Sequence, residues 1–196
     1  MEIINLGATN SILNQFVAEL RDVTIQTDSL RFRRNIERIG EILSYEISKQ
    51  ISYENKNVQT PLGRASLMVP CSQVVISTIL RAGLPFHQGF LNYFDHAENA
   101  FVSAYRKYKD RLNFDIHIEY IASPRLNGKT LIITDPMLAT GSSMELAFQA
   151  LLTKGEPDHI HVASIIASKQ SDPLYKGKMP AEKNNCLGRS HRRSVR

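Results

Sequence analysis

Asp135 closes a β-branched apolar run at residues 131–134, and Pro136, Met137, Leu138, Ala139, Thr140, Gly141, Ser142 and Ser143 follow it directly. A carboxylate in that place can accept hydrogen bonds from two vicinal hydroxyls. The small, hydroxyl-bearing residues behind it would bring backbone N–H groups to the start of a helix, where the helix dipole is positive and a phosphate is held. The ligand implied is a ribose 5-phosphate. The loop lacks the lysine and spacing of a Walker A loop, and it lacks G-x-G-x-x-G, so neither a nucleoside-triphosphate cradle nor a dinucleotide fingerprint is indicated. An ordinary βα turn with a serine cap would use the same residue types, and the residues alone leave that reading open.

The elements that must position these groups can be read from periodicity. Residues 131–135 suit a buried strand. From Met144 the apolar residues Met144, Ala147, Phe148, Leu151 and Leu152 recur at helical spacing, with Ser142 or Ser143 as N-cap, Glu145 in the first turn, Lys154 in the last and Gly155 beyond. Residues 74–80 form a second buried-strand pattern that stops at Arg81, Ala82 and Gly83, before an apolar segment at 86–94. A third strand at 100–105 runs into the basic turn 106–111, and 114–120 alternates with period two, so this turn reads as a flap over a polyanion. Residues 159–168 read as one more buried strand, with His159 and His161 on one face and at an edge or a dimer contact. No third ligand accompanies them, so no metal site is expected. Two amphipathic helices are expected over 12–20 and 29–50, and 54–73 should form edge strands of a small accessory layer. The alternation over 74–168 predicts an α/β fold, a parallel sheet flanked by helices on both faces. Ligands in such sheets sit at the carboxyl ends of the strands, where Arg81, Arg106 and Asp135 would converge.

The nine residues 135–143 resemble the 5-phosphoribosyl-1-pyrophosphate (PRPP) motif of the type I phosphoribosyltransferases, and the segment Pro136 to Thr140 resembles the version in the uracil phosphoribosyltransferase family. Residues 79–84 look like that family's pyrophosphate loop, and Tyr105 with Arg106 matches its second phosphate-contacting arginine. The resemblance implies a type I phosphoribosyltransferase-like fold with a Rossmann-like core. It implies catalytic roles for Asp135, Arg81 and Arg106. PRPP would be bound by those three together with Pro136, Met137, Leu138, Ala139, Thr140, Gly141, Ser142 and Ser143. It further implies transfer of the phosphoribosyl group to uracil, giving UMP and pyrophosphate, with Mg²⁺ carried by PRPP and no metal site on the protein. The start of the 29–50 helix resembles a region that the family uses in a dimer contact, so a homodimer is expected.

The resemblance extends over roughly residues 1–169. The glycine-rich segment with which the family recognises uracil has no counterpart after it, so the uracil-binding residues are not assigned. The break is either natural or a shift of reading frame near Glu182. Two further readings follow from it: a PRPP-binding protein with impaired catalysis, and a regulatory RNA-binding protein on the same fold, similar to the pyrimidine-operon attenuators. RNA is the less favoured partner, because only the tail supports it.

Composition sets the frame. With 196 residues and 42% hydrophobic content, the chain suits one domain, here 1–175. Those residues hold 17 Lys and Arg against 18 Asp and Glu, whereas 176–196 hold 7 against 1, so the formal net charge of +5 resides in a basic tail expected to be disordered. Neither a signal peptide nor an apolar run of membrane-spanning length is apparent, and a cytoplasmic location is expected. Cys71 and Cys186 are expected to be reduced thiols.

Overall fold

The computed structural model describes residues 2–108, 114–139, 141–168 and 184–187. In chain order the elements are β1 (Glu2–Ile4), α1 (Ile12–Arg21), α2 (Ser29–Ser48), β2 (Tyr53–Thr60), β3 (Gly63–Pro70), β4 (Val74–Leu80), α3 (Leu84–Leu91), β5 (Glu98–Tyr108), β6 (Phe114–Ala122), β7 (Thr130–Thr134), β8 (Met137–Leu138), α4 (Ser142–Leu152), β9 (His159–Ala163), β10 (Ile166–Ala167) and β11 (Asn184–Leu187). Seven strands form the main sheet in the order β1-β11-β9-β7-β4-β5-β6. Its strand pairs are parallel except β5 with β6, which are antiparallel.

The central strands are β-branched and wholly buried because both sheet faces are covered. Side chains alternate between two cores. On one face Val75, Leu131, Ile133, Ile160 and Val162 meet Met144, Phe148 and Leu151 of α4. On the other, Val74, Ile76, Ile132 and Ala163 meet Ile39, Leu43 and Ile47 of α2 and Phe86 and Phe90 of α3. Each of these side chains larger than alanine contributes about 1.5–3 kcal/mol by leaving water. α2 starts where Asp28 accepts the amides of Leu30 and Arg31, both at 3.0 Å, which satisfies two otherwise unpaired donors. Helices α2 and α3 touch through backbone. A Cβ on Gly89 would lie 2.1 Å from the Glu37 carbonyl oxygen, and one on Gly40 would lie 2.6 Å from that of Phe86.

The accessory layer is the antiparallel hairpin β2–β3, a separate two-stranded sheet as the polar, turn-rich sequence suggests. Other expectations need correction. The stretch 159–168 is two short strands, interrupted at Ser164 and Ile165, because β10 leaves the main sheet to pair with β8. β9 is an interior strand between β7 and β11, so His159 and His161 are not on an edge. His159 is exposed, while His161 is 4% exposed. Part of the basic tail is ordered into the sheet: β11 lies between β1 and β9, and through it β1 joins the sheet. Local polarity concealed this strand, since backbone pairing needs no apolar side chain. The remainder of 176–196 lies outside the described residues.

Candidate active site

The site is built where β4 and β7 end. These strands are neighbours, with Thr78 opposite Thr134. The Thr134 hydroxyl donates to the Ser77 carbonyl at 3.1 Å, and the Thr78 hydroxyl donates to the Thr134 carbonyl at 3.4 Å. All three residues are buried, and the two strand ends are fastened to each other just before the chain turns outward. Beyond them the chain departs to opposite faces, β4 into α3 and β7 towards α4. Such a divergence opens a crevice at the carboxyl ends of the strands.

Asp135 is the first residue past β7. Its amide donates to the Ala163 carbonyl at 3.1 Å, and its Oδ1 accepts the Met137 amide at 3.2 Å. Burial pushes its carboxyl up from 3.8 to about 6, against the opposing hydrogen bond from Met137. The loop that follows is held by pairing between β8 and β10. Ile166 N–H donates to Pro136 O at 3.1 Å, Ser168 N–H donates to Leu138 O at 2.9 Å, and the Ser168 hydroxyl donates to Ala139 O. Leu138 and Ala167 point into the core, whereas Met137 is 51% exposed. The loop is therefore a fixed shelf.

The expected serine cap is absent. Helix α4 begins after Gly141, which is the N-cap at φ 82° with no side-chain cap hydrogen bond, and its carbonyl accepts the Glu145 amide at 2.9 Å. Only glycine takes that left-handed conformation without strain, and the tight turn it makes brings Ser142 and Ser143 into the first turn instead. Glu145 does lie in the first turn as read from sequence, but α4 ends at Leu152 and Lys154 falls beyond it.

Arg81 is exposed at the end of β4, after a cis Leu80–Arg81 peptide. The turn is closed by Gly83 N–H to Ile79 O and Leu84 N–H to Arg81 O, each at 3.3 Å. A Cβ at Gly83 would come within 2.0 Å of Thr78 Oγ1 and 2.7 Å of Ile79 O. Gly83 thus allows the turn to fold back on the strand. Arg106 lies on β5, whose Ser103 is opposite Leu80. Its backbone is therefore at the same end of the sheet, within a strand that runs to Tyr108 and not in the turn expected over 106–111, because 106–108 pair with β6; its side chain, Thr140 and residues 109–113 lie outside the described residues.

The structure thus gathers the Arg81 turn, the Asp135 loop and the Arg106 strand at one sheet end. It leaves the histidines His159 and His161 elsewhere. Among the described residues no group of His, Cys, Asp or Glu could hold a metal ion. Gly83 was already read as part of the stop of the first strand pattern, whereas periodicity overlooked Thr78 and Thr134, which fasten the strand ends. Their signal was present as polar residues within otherwise apolar strands.

A family model described as uracil phosphoribosyltransferase matches residues 8–180, running past 169, where the resemblance was expected to stop. A uracil phosphoribosyltransferase of Porphyromonas gingivalis is 70% identical over 180 residues, covering 92% of this chain and 83% of that protein. One from Pyrococcus furiosus is 34% identical over 169 residues, covering 85% of this chain and 71% of that protein. Among solved structures, the AQ2163 protein of Aquifex aeolicus aligns with a TM-score of 0.83 at 28% identity, over 98% of this chain and 89% of that one. A purine phosphoribosyltransferase of Pyrococcus horikoshii aligns with a TM-score of 0.53 at 14% identity over 80% of this chain and 83% of that one, a likeness of fold alone. With a family model spanning most of its length and a 70% identical relative, this chain belongs to the uracil phosphoribosyltransferase family.

Proposed function

We propose that this protein transfers the 5-phosphoribosyl group of PRPP to a ring nitrogen of uracil, releasing pyrophosphate and forming UMP. The observation that carries the site assignment is the adjacency of the Arg81 turn and the Asp135 loop on neighbouring, mutually fastened strand ends. Rupture of the C1–O bond builds positive charge on the ribose and negative charge on the departing pyrophosphate, so positioning and charge stabilisation are what the protein must supply. Arg81 and Arg106 take the pyrophosphate charge. Asp135 accepts the ribose hydroxyls and, when ionised, favours the cationic ring. The amides and hydroxyls of residues 139–143 hold the 5-phosphate at the start of α4. In this reading PRPP brings its Mg²⁺ as part of the substrate.

The functional unit in this reading is a homodimer in the cytoplasm. Supporting the dimer are the exposed apolar residues Val23 and Leu30 beside the start of α2, and Leu62, Leu67 and Met68 on the β2–β3 hairpin. Among the described residues no helix is long and apolar enough to cross a membrane. Sedimentation equilibrium tests the dimer, and a concentration-independent monomer mass overturns it.

The activity is tested by mass spectrometry of nucleotides formed from PRPP, Mg²⁺ and a panel of nucleobases, with Asp135→Asn as control. UMP formed only with uracil, and lost in the control, is the expected result. No nucleotide from any base would refute the activity.

A further inference from the structure

His87 is placed outside the crevice, yet it is tied to the turn that carries Arg81. It is the fourth residue of α3, and its amide donates to Gly83 O at 2.8 Å, closing the helix's first turn. Its ring is buried between α3 and β5, with Nε2 2.6 Å from Asn99 Oδ1 and its centroid 5.1 Å from that of Phe101. Nδ1 has no hydrogen-bond partner among the described residues. The oxygen of Asn99 therefore takes a hydrogen from Nε2, and the ring is the neutral tautomer bearing its proton there.

The consequence is mechanical. Elsewhere α3 is held by apolar packing, with Phe86 and Phe90 rings edge to face at 5.3 Å, and at its far end by Asn92 Nδ2, which donates to Glu41 Oε1 at 2.7 Å and Glu37 Oε1 at 3.3 Å. The Asn92 bonds tie that end of α3 to α2, whereas the packing around the end next to the Arg81 turn is non-directional. A buried hydrogen bond is directional. The Arg81 turn is strung between two anchors: the Ile79 carbonyl, which accepts Gly83 N–H on the strand side, and the His87 ring on the helix side. β5, which receives the His87 ring through Asn99, is also the strand that carries Arg106. One bond thus relates the turn bearing the first arginine to the strand bearing the second.

We propose that His87, through its bond to Asn99, is a positioning residue that fixes the Arg81 turn against β5 so that both arginines address one pyrophosphate. This rests on the reading of Arg81 and Arg106 given above. The experiment measures kcat and both KM values for the full-length wild type, His87→Leu, His87→Gln, Arg81→Ala and the His87→Leu/Arg81→Ala double variant. His87→Leu should raise KM for PRPP about tenfold, with kcat and KM for uracil within about twofold, the scale expected when a substrate-holding group is misplaced. His87→Gln keeps an N–H donor and should recover most of the loss. In the Arg81→Ala background the His87→Leu change should add nothing further.

A full additional rise in the double variant overturns action through Arg81. A raised KM in Arg81→Ala with an unchanged His87→Leu overturns the role of His87 alone, whereas an unchanged Arg81→Ala overturns the reading of the pyrophosphate site itself. Asn99 is exposed, so Asn99→Ala breaks the same bond with little burden on the core. If His87→Leu does not fold, an unaltered KM for PRPP in Asn99→Ala refutes the proposal.

Discussion

Thr78 and Thr134 stand opposite one another at the ends of β4 and β7, each directing its hydroxyl to backbone of the neighbouring strand. Neither side chain is left to bind a ligand. Their effect is to hold the origins of the Arg81 turn and the Asp135 loop at one strand spacing, about 4.8 Å, before the chain departs to opposite faces. Thr78 also forms the wall against which Gly83 is folded.

Adding one methyl group at Gly83 should therefore disturb the site more than the fold. Gly83→Ala meets both Thr78 Oγ1 and the Ile79 carbonyl, and overpacking of this kind costs about 1–3 kcal/mol. Urea denaturation should show that loss, and KM for PRPP should rise at least about tenfold as the turn moves. Thr78→Ala in the same chain removes the hydroxyl but leaves the carbonyl oxygen at 2.7 Å, so rescue should be partial. Complete rescue would show that the side-chain contact alone matters.

Asp135 should weaken the unliganded fold at the pH where it works. Its folded-state carboxyl, at about 6, lies above the ordinary 3.8, because burial disfavours the charge. The folded chain therefore holds this proton more tightly than the unfolded chain. That contribution to stability is fully present below about pH 4 and is lost as pH rises through about 6, a swing on the order of 3 kcal/mol at most. Asp135→Asn stays neutral and should be more stable than wild type at pH 8, with the difference shrinking towards pH 4. Denaturation of both proteins at the two pH values checks this; equal stability at pH 8 contradicts it. PRPP should protect wild type against denaturation at pH 8 and not the variant.

His161 has the opposite sign. Neither ring nitrogen has a hydrogen-bond partner among the described residues, and burial, then the neighbouring His159, lowers it from 6.5 to about 4. The unfolded chain binds that proton more readily, so the stability due to the neutral ring is complete above about pH 6.5 and is lost as pH falls through about 4. The loss is on the order of 3 kcal/mol at most. His161→Leu should flatten the acid side of the stability profile measured by thermal melting between pH 4 and 7, without changing KM for PRPP at pH 8. An unchanged acid profile would remove His161 as its source.

Much of the architecture was legible because it is local. Val74 to Leu80 and Leu131 to Thr134 are β-branched runs flanked by special residues, and both are buried strands. The apolar faces of α1 and α2 follow the 3.6-residue period, which selects the buried Leu13, Leu20, Ile36, Ile39, Leu43 and Ile47, although Ile12 and Phe32 on the same pattern are exposed. The misreadings share a cause. Residues 159–168 read as one β-prone run rich in Ile, Val and Ala, and nothing local tells a strand to change partners at Ser164. Asn184 to Leu187 carry no apolar pattern, yet they pair with both β1 and β9. The cap of α4 fell to Gly141 because the incoming loop needs a left-handed turn, which outweighs the preference for serine.

By itself, then, the sequence determined the chemistry on offer: a carboxylate, an arginine and a loop of small, hydroxyl-bearing residues, each at the end of an element whose period is written into neighbouring residues. Tertiary structure decided what those groups share. The order of strands made β4 and β7 neighbours, the Thr78–Thr134 contacts set their ends side by side, and burial raised the carboxyl of Asp135. Strand pairing and dielectric environment arise between segments distant in the chain, so no local run of residues encodes either.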